Sequence, residues 1–296
     1  MNTQGQSSAL RPERVKVVTL LENAACREGL ASAHGLSLYL ETPHHRILFD
    51  MGPDGAFAEN AAVLGVDLKS VDLAVLSHGH YDHGGGLAAF CRCNDTARVY
   101  IRRDAFGEFL SAGPAGEEPH YIGLPEDLEL FRERFVLTGP ETKIDEELTL
   151  FAEPPAVFDA MKASASLLER TAAGVEPDAF SHEQNLLITA GATAVVVAGC
   201  AHRGMVNIAA EARRRLGRDA DAVIGGFHLF QLGQDAQADA LIDATGQALL
   251  PGKTVYYTGH CTGDYAFHRL SGLLGGRLRP LHGGTEITVE GGNATP

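Results

Sequence analysis

The sequence predicts an α/β protein in which two β-sheets pack together and helices cover their outer faces. Short apolar segments rich in Val, Leu and Ile alternate with helix-like stretches and are separated by glycine turns. Both halves of the chain have this arrangement, with strands first and helices after them. Two similar halves are what two packed sheets with outer helices require.

The composition excludes some classes of protein and disfavours others. The 296 residues contain no run near the roughly 18 apolar residues that a membrane span needs, so we expect no membrane partner. The formal charge is −14, from 24 basic and 38 acidic residues, which disfavours nucleic acid as a partner. A small-molecule substrate, even an anionic one, is compatible with this charge, because local arginines or metal ions override the net field. The sequence is compatible with a monomer or a homo-oligomer.

The ends of the chain and its cysteines indicate a cytoplasmic protein. Residues 1–13 form a polar stretch without the apolar core of a secretion signal, and we expect a disordered tail there. Residues 14–290 are predicted to form a single domain, and residues 291–296 a second tail. The five cysteines are an odd set without paired spacing, and we expect them to be reduced.

The first half of the chain predicts mainly strands. A helix between the third and fourth strands has Asp54 as its cap and Gly65 at its end. After the fourth strand we expect a helix at 87–93, a strand at 97–103 and a helix or loop at 104–113. The four strands are predicted at 14–23, 34–42, 45–52 and 71–78.

The middle of the chain is weakly periodic, with short strands predicted at 134–139 and 147–151. Residues 154–180 are predicted to be an insertion, partly helical, that serves as a lid or an oligomer contact. In the second half, strands and helices alternate again up to a closing strand. The strands are predicted at 185–191, 192–202, 221–229, 253–263 and 281–290, and the helices at 205–217, 235–250 and 264–276.

The stretch "VLSHGHYDHGGGL", residues 75–87, concentrates metal-ligating side chains after an apolar strand. His78 and His80 are two apart, so both point the same way while the chain stays extended. Asp82 and His83 follow in the turn, and the glycines let the backbone bend sharply. Two imidazoles can therefore hold one ion while Asp82 and His83 reach a second. The alternative is a solvated polar turn, which four ligand-type side chains in six residues disfavour.

Several later residues also follow predicted strands. "VVVAGCAH" places Cys200 and His202 at a strand end, "GGFHL" does so for His228, and "TGHCTG" for His260. A buried, hydrogen-bonded histidine is the alternative for the last two. Three further residues are candidates for substrate binding: Asn23, His34 and Tyr81. For Asn23 and His34 the alternative is a role in a turn or a cap.

These motifs resemble a known family. "SHGHYDHGG" matches the HxHxDH motif of the metallo-β-lactamase superfamily, and "ILFDMG" is similar to its strand-ending Asp-x-Gly. More narrowly, "HGLSLYLET", "GCAHRGMVNI", "GGFHL" and "HCTG" resemble the 7,8-dihydropterin-6-methyl-4-(β-D-ribofuranosyl)-aminobenzene-5′-phosphate synthase branch. The resemblance runs from about residue 15 to residue 289.

The resemblance implies a four-layer αββα sandwich of two mixed sheets, with a site for one or two metals at one edge. It also implies that Asp50 lies behind the metals and orients a ligand. In the family, a lone histidine, a strand-closing aspartate or cysteine and a last histidine follow the first motif. His182 lies where the lone histidine is expected and Cys200 where the strand-closing residue is expected, and both, like His228, are candidates for a metal or substrate role. The predicted metal ligands are His78, His80, Asp82, His83, His202 and His260.

The expected function is that of a metallo-hydrolase or transferase with a divalent metal, zinc before iron or manganese. Metal ions would activate a bound water and polarise a substrate oxygen, with Asp82 and His83 as catalytic residues. The resemblance implies condensation of a pterin with a ribofuranosyl-aminobenzene phosphate. The alternatives are a small-molecule hydrolase of phosphoesters, lactones or thioesters, and a metal-containing ligand-binding protein without turnover. A Cys200 thiol nucleophile paired with His202 is disfavoured, because neighbours two apart on a strand rarely have the geometry for proton transfer.

Overall fold

The computed structural model describes residues 13–113, 117–291 and 293–295. Nearly all of the predicted N-terminal tail therefore lies outside the described residues. In chain order the strands are β1 Val15–Leu21, β2 Ser37–Glu41, β3 Arg46–Phe49, β4 Leu73–Val75, β5 Arg98–Arg102, β6 Glu108–Ser111, β7 His120–Tyr121, β8 Phe135–Thr138, β9 Glu141–Lys143, β10 Leu148–Ala152, β11 Leu167–Thr171, β12 Gly174–Pro177, β13 Gln184–Ala190, β14 Thr193–Val197, β15 Ala222–Ile224, β16 Val255–Thr258, β17 Leu278–Pro280, β18 Glu286–Glu290 and β19 Asn293–Thr295. The last of them lies within the stretch predicted as a second tail.

The α-helices are α1 Ala56–Leu64, α2 Tyr81–Gly84, α3 Leu87–Cys93, α4 Met205–Leu216, α5 Ala236–Leu249 and α6 Asp264–Leu274. Short 3-10 helices occupy Leu68–Ser70, Arg103–Phe106, Glu126–Arg134, Met161–Ser164, His260–Thr262 and Gly275–Arg277. No helix in the described ranges is long and apolar enough to cross a membrane. As predicted, α1 ends at Gly65, which adopts a left-handed φ of 72°. The residue at its N-terminal cap is Gly55, and Asp54 accepts a hydrogen bond from the Ala56 N–H.

Two mixed sheets face each other. The first has the strand order β19-β18-β1-β2-β3-β4-β5-β8, and the second β17-β16-β15-β14-β13-β10-β9. Alternate residues of a strand point to opposite faces, and in β1 this sends Val17 into the core between the sheets and Val18 toward α1 and α3. The outer face of the second sheet packs on α4, α5 and α6. This four-layer sandwich confirms the predicted fold.

A third, four-stranded sheet, β12-β11-β6-β7, is a feature that the sequence reading missed. The prediction of a helix or loop at 104–113 is wrong for Glu108–Ser111, which forms β6. Residues 154–180 hold one short 3-10 helix and the β11–β12 hairpin, where a larger helical content was predicted. Pairing between β6 and β11, far apart in sequence, overrides the weak local preferences of both segments. That residues 154–180 are an insertion stays a prediction.

The fold brings strand ends together at one edge. β3 runs parallel to β4 in the first sheet, and β14, β15 and β16 run parallel in the second. Parallel strands end at the same edge, so the segments after these five strands meet there. The side chains that follow them are Asp50 after β3, residues 77–83 after β4, 200–202 after β14, His228 after β15 and His260 after β16.

Candidate metal centre

The first group of converging side chains is rich in histidine. The ligand atoms of His78, Cys200 and His202 lie within 4.8 Å of one another, and so do those of His78, His80 and Asp82. The Nε2 atoms of His78 and His202 are 3.3 Å apart. The Nε2 atom of His80 is buried, lies 3.8 Å from Asp178 Oδ2 and makes no hydrogen bond within the described chain. Buried imidazoles, a thiol and a carboxylate whose ligand atoms converge in this way fit a metal ion.

The second group combines Asp82, His83, Cys200 and His260, whose ligand atoms also lie within 4.8 Å of one another. The His83 Nε2 atom is 3.1 Å from His260 Nε2 and 3.2 Å from Cys200 Sγ. Asp82 Oδ2 is 3.2 Å from His260 Nε2. One carboxylate, one thiol and two imidazoles are a donor set suited to a divalent cation such as zinc.

Cys200 and Asp82 each belong to both groups, and the Cys200 sulfur therefore lies between them. The backbone beside it comes very close to the first sheet, because a Cβ atom on Gly199 would lie 2.2 Å from Ser77 Oγ and 3.1 Å from His78 Nδ1. Glycine is required at this position for the two sheets to approach. The sequence left open whether Cys200 binds metal or substrate, and its place between the two groups favours metal.

Hydrogen bonds behind these side chains fix the ring orientations. His83 Nδ1 donates to Asp50 Oδ2 at 2.7 Å, and Ser77 Oγ donates to the same oxygen. His78 Nδ1 donates to Ser77 Oγ at 2.8 Å, and His260 Nδ1 donates to an amide oxygen at 2.9 Å. With Nδ1 used as a donor, the Nε2 atom of each neutral ring keeps its lone pair for a cation.

His182 lies beside the first group, and its ligand atoms form a separate cluster with those of His80 and Asp178, within 4.8 Å of one another. Its Nδ1 accepts a hydrogen bond from the Gly79 N–H at 2.9 Å, and its Nε2 lies 3.0 Å from Asp178 Oδ2. Both ring nitrogens are therefore engaged. Glu183, the next residue, accepts hydrogen bonds from the backbone N–H groups of residues 202 and 203. Sequence reasoning missed both acids, and their nearness to His182 in "DAFSHE" was the available signal.

Burial and charge set the proton affinities of the metal-free centre. Burial and then the neighbouring histidines lower the pKa of His78 and His202 well below the usual value. Burial also lowers the pKa of His80, to about 4. Burial opposes charge on His83 as well, yet the Asp82 and Asp50 carboxylates raise its pKa to about 9.

The acid and the thiol of the second group shift in opposite directions. Burial raises the pKa of Asp82, but the charges of His83 and His260 outweigh it and hold that pKa well below the ordinary value. Burial, followed by the neighbouring Cys261, raises the pKa of the Cys200 thiol. Asp82 is therefore ionised at neutral pH, while Cys200 keeps its proton in the absence of a cation.

A cavity of about 160 Å³ opens onto the centre. Two of the three predicted substrate-binding residues, His34 and Tyr81, line it. The third, Asn23, lies behind it, accepting from His260 Nδ1 and donating to His34 Nδ1 at 3.3 Å. The remaining wall is formed by His80, Asp82, Ser111, His120, Ile122, Leu167, Cys200, His202, His228, Phe230, Gln231 and Cys261. The third sheet therefore supplies one side of the cavity.

Four residues at the centre have a positive φ although they are not glycine. They are Asp50 at 58°, Ala201 at 55°, His228 at 47° and His260 at 48°. The left-handed region costs a residue with a side chain about 1–2 kcal/mol. Such residues cluster at functional sites, where the surrounding structure holds them in place.

The comparison with protein families decides the classification. The model of the metallo-β-lactamase superfamily matches residues 33–260. The chain belongs to this superfamily. The resemblance predicted from the sequence is thereby confirmed, and the chain stands among the metal-dependent enzymes of the superfamily.

Relatives of this superfamily member cover nearly the whole chain. The 7,8-dihydropterin-6-methyl-4-(β-D-ribofuranosyl)-aminobenzene-5′-phosphate synthase of Methanocaldococcus jannaschii is 29% identical, over 93% of this chain and 97% of its own length. Tm1679, described as a metal-dependent hydrolase of the β-lactamase superfamily, has a TM-score of 0.75 at 24% identity, covering 93% of this chain and 99% of its own. Zn²⁺-bound PqqB from Methylobacterium extorquens has a TM-score of 0.52 at 11% identity, covering 92% and 99%.

Proposed function

We propose that the chain binds two divalent cations, zinc foremost, and acts with them on a small anionic substrate. The observation that carries this proposal is the pair of ligand groups that share Cys200. In the first group the ligands are His78, His80 and His202, and in the second Asp82, His83 and His260. When bound, a divalent cation lowers the pKa of a water molecule and polarises a substrate oxygen.

Residues of the chain itself orient the groups that would react. Asp82 lines the cavity and its Oδ2 lies 3.5 Å from His34 Nε2, so it can orient a water molecule by accepting a hydrogen bond from it. Its low pKa keeps the carboxylate ionised at neutral pH, so that it stays a hydrogen-bond acceptor there. His83 is the second catalytic candidate, and Asp50 holds its ring in one orientation.

For the reaction itself we propose a condensation like that named for the Methanocaldococcus jannaschii synthase, joining a pterin to a ribofuranosyl-aminobenzene phosphate. The support is the 29% identity over nearly the full length of both chains. A second candidate is hydrolysis of a small phosphoester, lactone or thioester. The cavity favours it, since about 160 Å³ is below the roughly 300 Å³ at which drug-sized ligand pockets begin.

The test starts from protein purified without added metal. Elemental analysis is expected to give about two divalent ions per chain, one for each ligand group. A chelator should abolish turnover, and re-addition of zinc should restore it, on either the condensation substrates or the hydrolase panel. The variant His268→Ala serves as the matched control, because this exposed histidine of α6 lies outside both groups. Metal content near zero, or activity that survives chelation, would refute the proposal. Full metal content without turnover on either panel would indicate a ligand-binding protein.

A further inference from the structure

His228 is a buried histidine whose ring nitrogens make no well-formed hydrogen bond among the described residues, and its exposed fraction is 4%. The group it interacts with is Cys261. Burial opposes charge on that thiol, yet Cys200 and then His228 hold the pKa of Cys261 well below its ordinary value. The Cys261 thiol itself donates to the Cys200 carbonyl oxygen at 3.5 Å. A buried polar group left unpaired costs free energy, so native proteins rarely keep one without a use.

The fold also holds this ring in a fixed and unfavourable position. His228 has a φ of 47°, in the left-handed region that disfavours residues with a bulky side chain. Its ring centroid is 4.2 Å from that of His202 and 5.5 Å from that of Phe230, and the His228 and Phe230 rings lie at 87° to each other. A strained backbone and two ring contacts thus orient an imidazole whose nitrogens make no well-formed hydrogen bond among the described residues.

The proposed metal groups are complete without His228. Asp82, His83, Cys200 and His260 already supply four ligand atoms, the usual number for zinc, and the first group has three histidines besides the shared sulfur. His228 lies within 4.8 Å of Cys200 and Cys261, beside the centre and in the cavity wall. Its position therefore fits contact with the molecule that fills the cavity.

The cavity has an unusual lining for an anionic substrate. Among the described residues that form its wall there is no lysine or arginine, and its neutral polar donors come from histidine, serine, tyrosine and glutamine side chains. An anion in this cavity must be held by bound cations together with such donors. His228 is the donor whose nitrogens are both buried and unpaired beside the metal groups.

We propose that His228 is a substrate-binding residue whose ring N–H donates a hydrogen bond to an anionic oxygen of the substrate. This inference rests on the proposed metal function and adds to it the group that recognises the oxyanion. The ligand chemistry is that of a phosphate or carboxylate oxygen close to the cations. His228 would thus replace the arginine that commonly holds such groups in other proteins.

The experiment measures metal content and anion binding separately. Two variants remove the imidazole while tolerating the left-handed backbone, His228→Asn and His228→Gly. Each is loaded with zinc and analysed for metal, and inorganic phosphate is then titrated into it by calorimetry. Both should keep the wild-type metal content, and their Kd for phosphate should rise about tenfold or more, as expected for loss of a hydrogen bond to a charged acceptor. His268→Ala should match the wild type in both measurements.

Each other outcome has a defined meaning. If the variants lose about one ion per chain, His228 is a metal ligand and the inference is overturned. If metal content and phosphate Kd are both unchanged, or if the zinc-loaded wild type binds no phosphate, the inference fails while the proposed metal function stands. If the wild type itself binds no metal, the proposed function has failed first. Because two variants with different backbone demands are compared, a folding defect confined to one leaves the other to decide.

Discussion

Loading the centre with zinc is expected to release about two protons per chain at pH 7. The first proton comes from Cys200, because burial keeps its thiol protonated and only a thiolate binds a cation well. The second comes from His83, whose pKa of about 9 leaves about 99% of the rings protonated at pH 7. His78, His80 and His202 add none, since their pKa values are lowered and their rings are already neutral.

The same protons set how metal affinity depends on pH. His83 and Cys200 must each lose a proton to bind, so the apparent affinity for zinc rises with pH. With two protons released per chain, the product of the two zinc binding constants rises about a hundredfold per pH unit near neutrality. Above the His83 pKa of about 9 that ring is already neutral, and the slope falls toward one proton per chain.

Isothermal titration calorimetry in buffers of different ionisation enthalpy counts the protons directly, as the slope of observed heat against buffer heat. Cys200→Ser is the matched variant, because serine keeps its proton, and we expect its slope to fall by about one and its metal content to drop. A wild-type slope near zero would refute the assignment of protonated ligands. If Cys200→Ser kept full metal content but lost activity, Cys200 would be a nucleophile instead.

Two further substitutions test the residues that support the centre. Asp50→Asn removes the carboxylate that accepts from His83, and zinc affinity measured by competition with a chelator should fall about 10- to 100-fold; an unchanged affinity would contradict its orienting role. Asn60→Ala removes three hydrogen bonds that hold the loop before β2, a buried one to the backbone at Leu20 and two partly buried ones to the backbone at Ala31. Urea denaturation should show a loss of about 2–3 kcal/mol, and a loss below about 0.5 kcal/mol would contradict this account.

The sequence predicted the sandwich and the local part of the site because both depend on short-range patterns. Apolar segments of strand length marked the sheets, and His78 to His83 lie in one stretch whose spacing alone indicates a metal site. The choice between His182 and His202 depends on more distant contacts. The ring nitrogens of His182 are engaged by Asp178 and the Gly79 N–H, while the left-handed Ala201 directs the chain that carries His202.

The third sheet was unpredictable for a related reason. Its strands are short and partly polar, and they become strands only because β6 and β11 meet after about 55 intervening residues. The same pairing builds the cavity wall, so the size of the space over the metals follows from a tertiary contact and not from a motif. The sequence motif therefore indicates that the site binds metal, but it does not indicate which substrate fits the cavity.

The four left-handed residues at the centre have a consequence for anyone who seeks a more stable variant. At about 1–2 kcal/mol each, their backbone strain destabilises the folded state by an amount that is a large part of the 5–15 kcal/mol that keeps a typical domain folded. Glycine at these positions would relax the backbone, but at Asp50, His228 and His260 it would also delete a side chain of the site. Substitutions that stabilise this protein are therefore better placed far from the strand ends, because at the strand ends a substitution that relieves strain also removes a side chain of the site.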